Sequence, residues 1–263
     1  MLGSENDVLD TMLGGGGTID ISRISAFALN GYGAKKSLLL SIPYTFADRE
    51  HFWNFATSDL ADEFLAEPVE QGLGVRGLFY GEEGFRHFFF KEEANTLEDL
   101  KGLKIRTMDS QMAIDMMNAL GGSATVMSYS EIYTGMQQGV VDGAENNITA
   151  LRDHSDVAQY YCYDEHTRIP DIVVISTKVW NQMSDNQKSI MKETAAAATE
   201  AYKTRWAEFE EEVRTAAEAN NVTFVEDVDT AAFQEACQSI YDNLKSSDPD
   251  VYAIVEKIQA AGK

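Results

Sequence analysis

Short runs of β-forming apolar residues alternate along the chain with longer stretches in which apolar residues recur every three or four positions. The short runs are typical of buried strands, and the longer pattern is typical of amphipathic helices. Strands are predicted at residues 18–21, 37–40, 75–80, 86–90, 104–107, 124–127, 171–176 and 222–225. Because helical stretches fill most of the intervals, the pattern predicts an α/β protein with largely parallel sheets.

One helical stretch is unusually long. Residues 185–219 contain neither Gly nor Pro and carry a stripe made of Tyr202, Trp206, Phe209 and Val213. At about 1.5 Å per residue, a helix there would exceed what one compact domain needs, so it is expected to bridge two lobes. A coiled coil is the competing interpretation, but the stripe does not continue as heptads. Capping boxes at Ser128 with Glu131 and at Ser184 with Gln187 predict helix starts.

The charge of the chain limits its partners. The 263 residues, 44% of them hydrophobic, suffice for one large or two ordinary α/β domains. The formal net charge of -22 repels nucleic acid phosphates and anionic lipid, which argues against nucleic acid binding and membrane insertion. No apolar run approaches the ~20 residues that span a bilayer. Met1 opens on Leu-Gly-Ser-Glu without the features of a signal peptide, so an export leader is expected to be absent from this chain.

The sequence carries no recognised catalytic or metal-binding motif. It lacks G-x-S-x-G, H-E-x-x-H, the phosphate-binding G-x-x-x-x-G-K-[ST] loop and C-x-x-C, so no enzyme activity, cofactor or metal is predicted. Cys162 and Cys237 stand far apart. They are interpreted as core thiols, with one disulfide between them as the open alternative.

Two arginines and an asparagine stand at the ends of predicted elements. Arg86 begins one strand, Arg106 ends another, and Asn146 follows the run Gly-Val-Val-Asp-Gly-Ala-Glu. The planar, permanently charged arginine fork matches a carboxylate with two parallel hydrogen bonds. By spacing alone each residue is more often structural, and the alternative is capture of a small organic acid.

Several sequence words resemble the substrate-binding proteins of tripartite ATP-independent periplasmic (TRAP) transporters for organic acids. The words are LGSE at 2–5, TIDISR at 18–23, SIPYTF at 41–46, GFRH at 84–87, LKGLKIR at 100–106, SEIY at 130–133 and QQGVVDGAEN at 137–146. They occur in the family's order and cover essentially the whole chain.

The resemblance implies two α/β lobes of the type II periplasmic binding protein fold, spanned by the long helix, with the ligand in the cleft between them. The implied division gives lobe I residues 1–83 and 172–211, and lobe II residues 84–171 and 212–263. Family members begin with a strand ahead of the Leu-Gly-Ser-Glu word, so an N-terminal strand is expected to be missing here.

The resemblance also implies roles for four residues of the predicted cleft. Arg106 would take the ligand carboxylate in a two-pronged salt bridge, and Arg86 would be a second cationic contact. Asn146 would donate its amide to the same end of the ligand, and Tyr129 would pack against the ligand body.

Further contacts are implied outside that group. Ser25 and Arg23 belong to a strand-end loop that faces the cleft in the family. The segment at 163–170 resembles the branch associated with hexuronates such as glucuronate and galacturonate, and His166 and Arg168 would read the sugar hydroxyls.

The expected function is a monomeric periplasmic receptor that delivers its ligand to the membrane subunits of a TRAP transporter. A C4-dicarboxylate, an aldonate or an aromatic acid is the alternative ligand. A sensory domain or an enzyme on the same scaffold is the alternative class, since fold does not fix function.

Overall fold

The computed structural model describes residues 4–14 and 18–261, in which nine strands form two sheets. The strands are β1 (Ile21–Ser25), β2 (Val75–Gly81), β3 (Arg86–Phe90), β4 (Lys104–Thr107), β5 (Ser123–Val126), β6 (Gly143–Asn146), β7 (Tyr160–Thr167), β8 (Asp171–Ser176) and β9 (Thr223–Val225). Sheet A has the order β1-β8-β2, and sheet B has the order β5-β4-β6-β3-β7-β9.

Helices cover both sheets, and two short 3-10 turns lie at Tyr129–Glu131 and Ile148–Ala150. The helices are α1 (Glu5–Leu13), α2 (Ala26–Asn30), α3 (Lys35–Leu39), α4 (Arg49–Ala56), α5 (Asp59–Glu70), α6 (Leu97–Leu100), α7 (Gln111–Leu120), α8 (Ile132–Gln137), α9 (Leu151–His154), α10 (Thr177–Gln182), α11 (Asp185–Ala219), α12 (Thr230–Ala236), α13 (Gln238–Ser247) and α14 (Pro249–Ala260). None of these helices is long and apolar enough to cross a membrane.

The α/β class is confirmed, but the prediction of largely parallel sheets is wrong. Both pairings in sheet A are antiparallel. In sheet B, β4 is parallel to β5 and β6, and β7 is parallel to β9, whereas β3 is antiparallel to β6 and β7. The chain passes between the sheets three times, through residues 82–85, through residues 168–170, and through α10 and α11. The spacing of apolar residues does not determine whether two neighbouring strands run parallel or antiparallel.

Two predicted strands differ from the structure. The run at 37–40 lies in and just after helix α3, because a short apolar run cannot by itself separate a strand from a buried helix. The strand predicted at 18–21 lies instead at Ile21–Ser25. Of the Gly14 to Gly17 run, only Gly14 falls within the described residues.

Helix α11 spans 35 residues, Asp185–Ala219, and begins with the predicted Ser184 capping box. Its C-terminal half contributes Val213 and Ala217 to a core that also contains Phe89 of sheet B. Its middle approaches sheet A at Gly81, where a Cβ atom would lie 2.8 Å from the Tyr202 ring. The helix therefore packs on both sheets, and the predicted bridge is confirmed.

The last helix packs with the first sheet. Val255 and Ile258 of α14 are fully buried in the same core as Ile172 and Val174 of β8. This packing favours a lobe boundary before α14, and the division at residue 212 stays a prediction.

Cys162 and Cys237 are free, buried side chains of a third core.

Candidate functional site

Arg106 lies on β4, and its buried guanidinium group forms no ion pair with any residue of the described ranges. The residue is 3% exposed, and its Nε donates to the main-chain oxygen of Met127 at 2.9 Å. Its two Nη atoms make no hydrogen bond, and it has no ion pair, among residues 4–14 and 18–261. Burial, together with the nearby positive charge of Arg86, lowers the pKa of Arg106 to about 10. A buried cation without a counterion is costly, and an incoming carboxylate would relieve that cost.

Arg86 and Asn146 meet beside Arg106. Arg86 lies at the start of β3, and its Nη1 donates to Oδ1 of Asn146, at the end of β6, at 2.9 Å. The rest of the Arg86 guanidinium pairs with Glu145, through Nε to Oε2 at 2.6 Å and Nη2 to Oε1 at 2.9 Å. Arg86 is therefore already neutralised, unlike Arg106.

Tyr129 follows the Ser128 cap of a 3-10 turn and remains 40% exposed. Its hydroxyl donates to Asp153 at 3.1 Å, and its ring lies 5.1 Å from the ring of His154. Those contacts hold the ring at the surface of a cavity, where it can pack against a ligand.

The cavity has a volume of about 790 Å³ and lies between the start of α1 and the segments that follow β4 and β5. Its walls include Phe27, Met108 and Tyr129 together with polar residues. The polar part of the lining comprises Ser4, Glu5, Asn6, Asp7, Asp109, Ser128 and Ser130. Because its residues come from α1 and α2 on one side and from the segments after β4 and β5 on the other, we interpret this cavity as the predicted cleft. Tyr129 lines it, whereas Arg106, Arg86 and Asn146 do not; Arg106 adjoins it through its hydrogen bond to Met127, the residue before Ser128.

Ser25 caps α2, and its main-chain N–H donates to the Glu5 carboxylate at 2.7 Å. The pKa of Glu5 is raised because burial of its carboxylate outweighs the hydrogen bond from Ser25. Arg23 is half exposed and pairs with Glu83 and Asp171. Arg23 is thus compensated within the chain.

The interpretation of His166 as a reader of ligand hydroxyls is corrected by its position. The residue is 0% exposed on β7, with Nδ1 2.7 Å from Asp164 and Nε2 3.4 Å from Glu145. Both ring nitrogens are occupied inside the protein, so neither faces the cleft. Burial opposes its positive charge, but the two carboxylates raise the pKa of His166 to about 9.

Arg168 is likewise placed away from the cleft. It pairs with Glu82, and its guanidinium lies 4.0 Å from the centre of the Phe85 ring. It lines a separate cavity of about 290 Å³ against α11, which shares no lining residue with the cleft. The structure therefore does not bring Arg168 to the predicted ligand.

The sequence did not identify the acidic residues that form ion pairs with some of the predicted arginines and not with Arg106. Glu145 directly precedes Asn146, and its position in a strand of small residues could have indicated a buried partner for an arginine. Asp164 and His166 alternate along β7 and are both fully buried. Charged residues at every second position of a strand were the available signal for buried ionic partners.

Fold and cleft together define an α/β receptor of two lobes with a buried cationic site for a small anionic solute. The chain belongs to the bacterial extracellular solute-binding proteins, family 7, whose profile matches residues 1–248. This confirms the resemblance to TRAP solute-binding proteins, which take small carboxylates and work with the membrane subunits of TRAP transporters.

Three solved structures of TRAP periplasmic solute-binding proteins are similar to this chain. The Xanthobacter autotrophicus protein with bound β-D-galacturonate is 30% identical, with a TM-score of 0.91 over 99% of this chain and 86% of that one. The Chromohalobacter salexigens protein with bound D-glucuronate is 26% identical, with a TM-score of 0.93 and coverages of 99% and 86%. The Polaromonas protein bound to D-erythronate is 28% identical, with a TM-score of 0.90 and coverages of 98% and 84%.

Proposed function

We propose that this protein is the periplasmic receptor of a TRAP transporter for a hexuronate, either glucuronate or galacturonate. It captures the sugar acid in the cleft, without chemical change, and presents it to the membrane subunits. We propose that it acts as a monomer.

The observation that carries the proposal is the buried guanidinium of Arg106, which has no ion pair within the part of the chain that the structure describes. The ligand carboxylate lies across its two Nη atoms, and Asn146 donates to the same carboxylate. Movement of the lobes over the ligand lowers the local dielectric and strengthens this charge pair. At an effective dielectric constant of 20, two unit charges 4 Å apart attract by about 4 kcal/mol, against about 1 kcal/mol in water.

The remaining cleft suits hydroxyl groups better than a second carboxylate. Glu5, Asp7 and Asp109 line it, and their carboxylates accept hydrogen bonds from hydroxyls but repel an anion. The Tyr129 ring offers an apolar surface for the C–H face of a sugar ring. One acidic end and a hydroxylated body describe a sugar acid, and they argue against a C4-dicarboxylate.

The ligands of related structures support the same class. The similar Xanthobacter and Chromohalobacter proteins hold galacturonate and glucuronate. The Polaromonas protein holds D-erythronate, a shorter hydroxy acid, and favours an aldonate as the second candidate for this chain. Both candidates place one carboxylate on Arg106 and differ in the length of the hydroxylated part.

Isothermal titration calorimetry with D-glucuronate, D-galacturonate, D-erythronate and succinate tests the proposal. Tight binding of a uronate is expected, and the Arg106→Ala variant is expected to lose more than a hundredfold in affinity, since breaking a buried charge pair costs ~3 to 5 kcal/mol. Arg205→Ala is the matched control, because it removes one arginine from the exposed face of α11. Binding of erythronate or succinate alone would replace the uronate assignment, and an unaffected Arg106→Ala variant would refute the anchor.

A further inference from the structure

A row of buried ionic groups lies behind Asn146. Glu145 holds Arg86 through two of its guanidinium nitrogens, and a third nitrogen, Nη1, donates to Oδ1 of Asn146. Arg86 also donates to the main-chain oxygen of Glu145 at 3.1 Å. A guanidinium fixed at so many points has little freedom to turn, so its Nη1 presents a donor at a fixed position.

The row continues away from the cleft. Nε2 of His166 lies 3.4 Å from Oε2 of Glu145, and Nδ1 lies 2.7 Å from Asp164. Asp164 in turn accepts the main-chain N–H of Phe88 at 3.0 Å. His166 and Asp164 are 0% exposed and Glu145 is 2% exposed, so a ligand in the cleft cannot touch these three residues.

The row determines the direction of one amide group. Oδ1 of Asn146 accepts from Arg86 and also from the main-chain N–H of Asn147 at 2.8 Å. Both donors can bind only an oxygen, which fixes the amide against rotation by half a turn. Nδ2 of Asn146 makes no hydrogen bond within the described part of the chain, so its two N–H groups remain for a ligand.

We infer that Glu145 and His166, acting through Arg86, are positioning residues that hold the Asn146 amide with its NH₂ group toward the ligand carboxylate. Arg86 then orients the Asn146 side chain, in addition to any contact that Arg86 itself makes with the ligand. The positive charges of Arg86 and His166 are matched by Glu145 and Asp164, so the row adds no net charge beside Arg106. This inference rests on the proposed function and assigns it further residues.

A double-mutant cycle measures the predicted connection, with D-galacturonate or D-glucuronate as the titrated ligand. Asn146→Ala is expected to weaken binding by about tenfold to a hundredfold, the range for a hydrogen bond to a charged group. Glu145→Gln is expected to weaken binding about fivefold or more when Asn146 is present, and less than twofold in the Asn146→Ala background. Losses that simply add would overturn the inference, because a general structural defect would act in both backgrounds.

Two further variants keep the test decisive if Glu145→Gln folds poorly. Asn146→Asp replaces the ligand-facing NH₂ group by oxygen and is expected to bind at least tenfold more weakly than Asn146→Ala. An equal or tighter affinity of Asn146→Asp would overturn the inference, because a carboxylate at this position cannot donate a hydrogen bond to the ligand. His166→Gln is expected to repeat the coupling to Asn146 seen with Glu145→Gln.

Glu165→Gln serves as the matched control, because Glu165 lies on the same strand as His166 but lines the separate cavity against α11. Its affinity is expected to equal that of the wild type. Wild-type protein that binds no carboxylate would overturn the proposed function together with this inference. Wild-type binding combined with additive losses would overturn the inference alone.

Discussion

The charge of His166 is expected to make the stability of the protein depend on pH in the alkaline range. Its ring lies between the carboxylates of Asp164 and Glu145, with no exposed surface. Burial alone would lower the pKa of His166, but the two carboxylates raise it from 6.5 to about 9. The folded protein therefore holds this proton more tightly than the unfolded chain does.

The sign and size of the effect follow from linkage. The folded-state pKa of His166 lies above its unfolded value, so the stabilisation is fully present below about pH 6.5 and is lost as the pH rises through about 9. At about 1.4 kcal/mol per pKa unit, the difference between 6.5 and about 9 corresponds to roughly 3 kcal/mol of unfolding free energy. That is a large fraction of the 5 to 15 kcal/mol typical of a folded protein.

Urea unfolding at several values between pH 6 and pH 10 measures this contribution. The stability gap between the wild type and His166→Gln is expected to narrow by roughly 3 kcal/mol across that range, because the variant lacks the titrating ring. His87→Gln is the control: burial holds the pKa of His87 well below 6.5, so its removal should leave the alkaline slope unchanged. Parallel wild-type and His166→Gln curves would refute the charged histidine.

Two other predictions concern buried groups outside the cleft. Glu82 lies between Arg168 and Arg49, and Glu82→Gln is expected to lower the unfolding free energy by about 3 kcal/mol, because the buried Arg168 loses its counterion while the partly exposed Arg49 keeps Glu210. Urea unfolding beside the exposed control Glu98→Gln checks this, and equal stabilities would contradict it. The two buried thiols, Cys162 and Cys237, are expected to resist a thiol reagent until the protein unfolds, since burial raises the pKa of both; rapid labelling of native protein would contradict their packing.

Features that depend on local sequence were predictable for the fold. The strands at Arg86–Phe90, Lys104–Thr107 and Asp171–Ser176 and the helix Asp185–Ala219 agree with their predicted bounds. Two of these strands contain apolar or aromatic runs, Lys104–Thr107 contains the β-branched residues Ile105 and Thr107, and the helix is a long stretch without helix breakers. Strand β7 was not predicted, because its buried face includes Asp164 and His166, which periodicity counts as polar.

The types of residue in the candidate site were predictable from the sequence, but which of its arginines form ion pairs was not. Arg86, Arg106 and Arg168 look alike in the sequence, yet only their tertiary partners separate them. The carboxylate that binds Arg86 is 59 residues away, and the one that binds Arg168 is 86 residues away. Counterions at such separations are set by the sheet topology, so no local pattern could identify Arg106 as the unpaired arginine.

The charge of the whole molecule and the charge of the cleft act over different distances. A net charge of -22 repels an approaching sugar acid, but at physiological salt this repulsion is screened within a Debye length of about 8 Å. At the proposed site, the buried Arg106 charge is shielded from water and would attract a carboxylate with an energy several times its value in solution. Of the cations predicted for the cleft, Arg23 and Arg86 have carboxylate partners, and Arg106 has none among the described residues. In the proposed site, this one cation would select a ligand with a single carboxylate, and the acidic residues of the adjoining cavity would favour a ligand whose remaining groups donate hydrogen bonds.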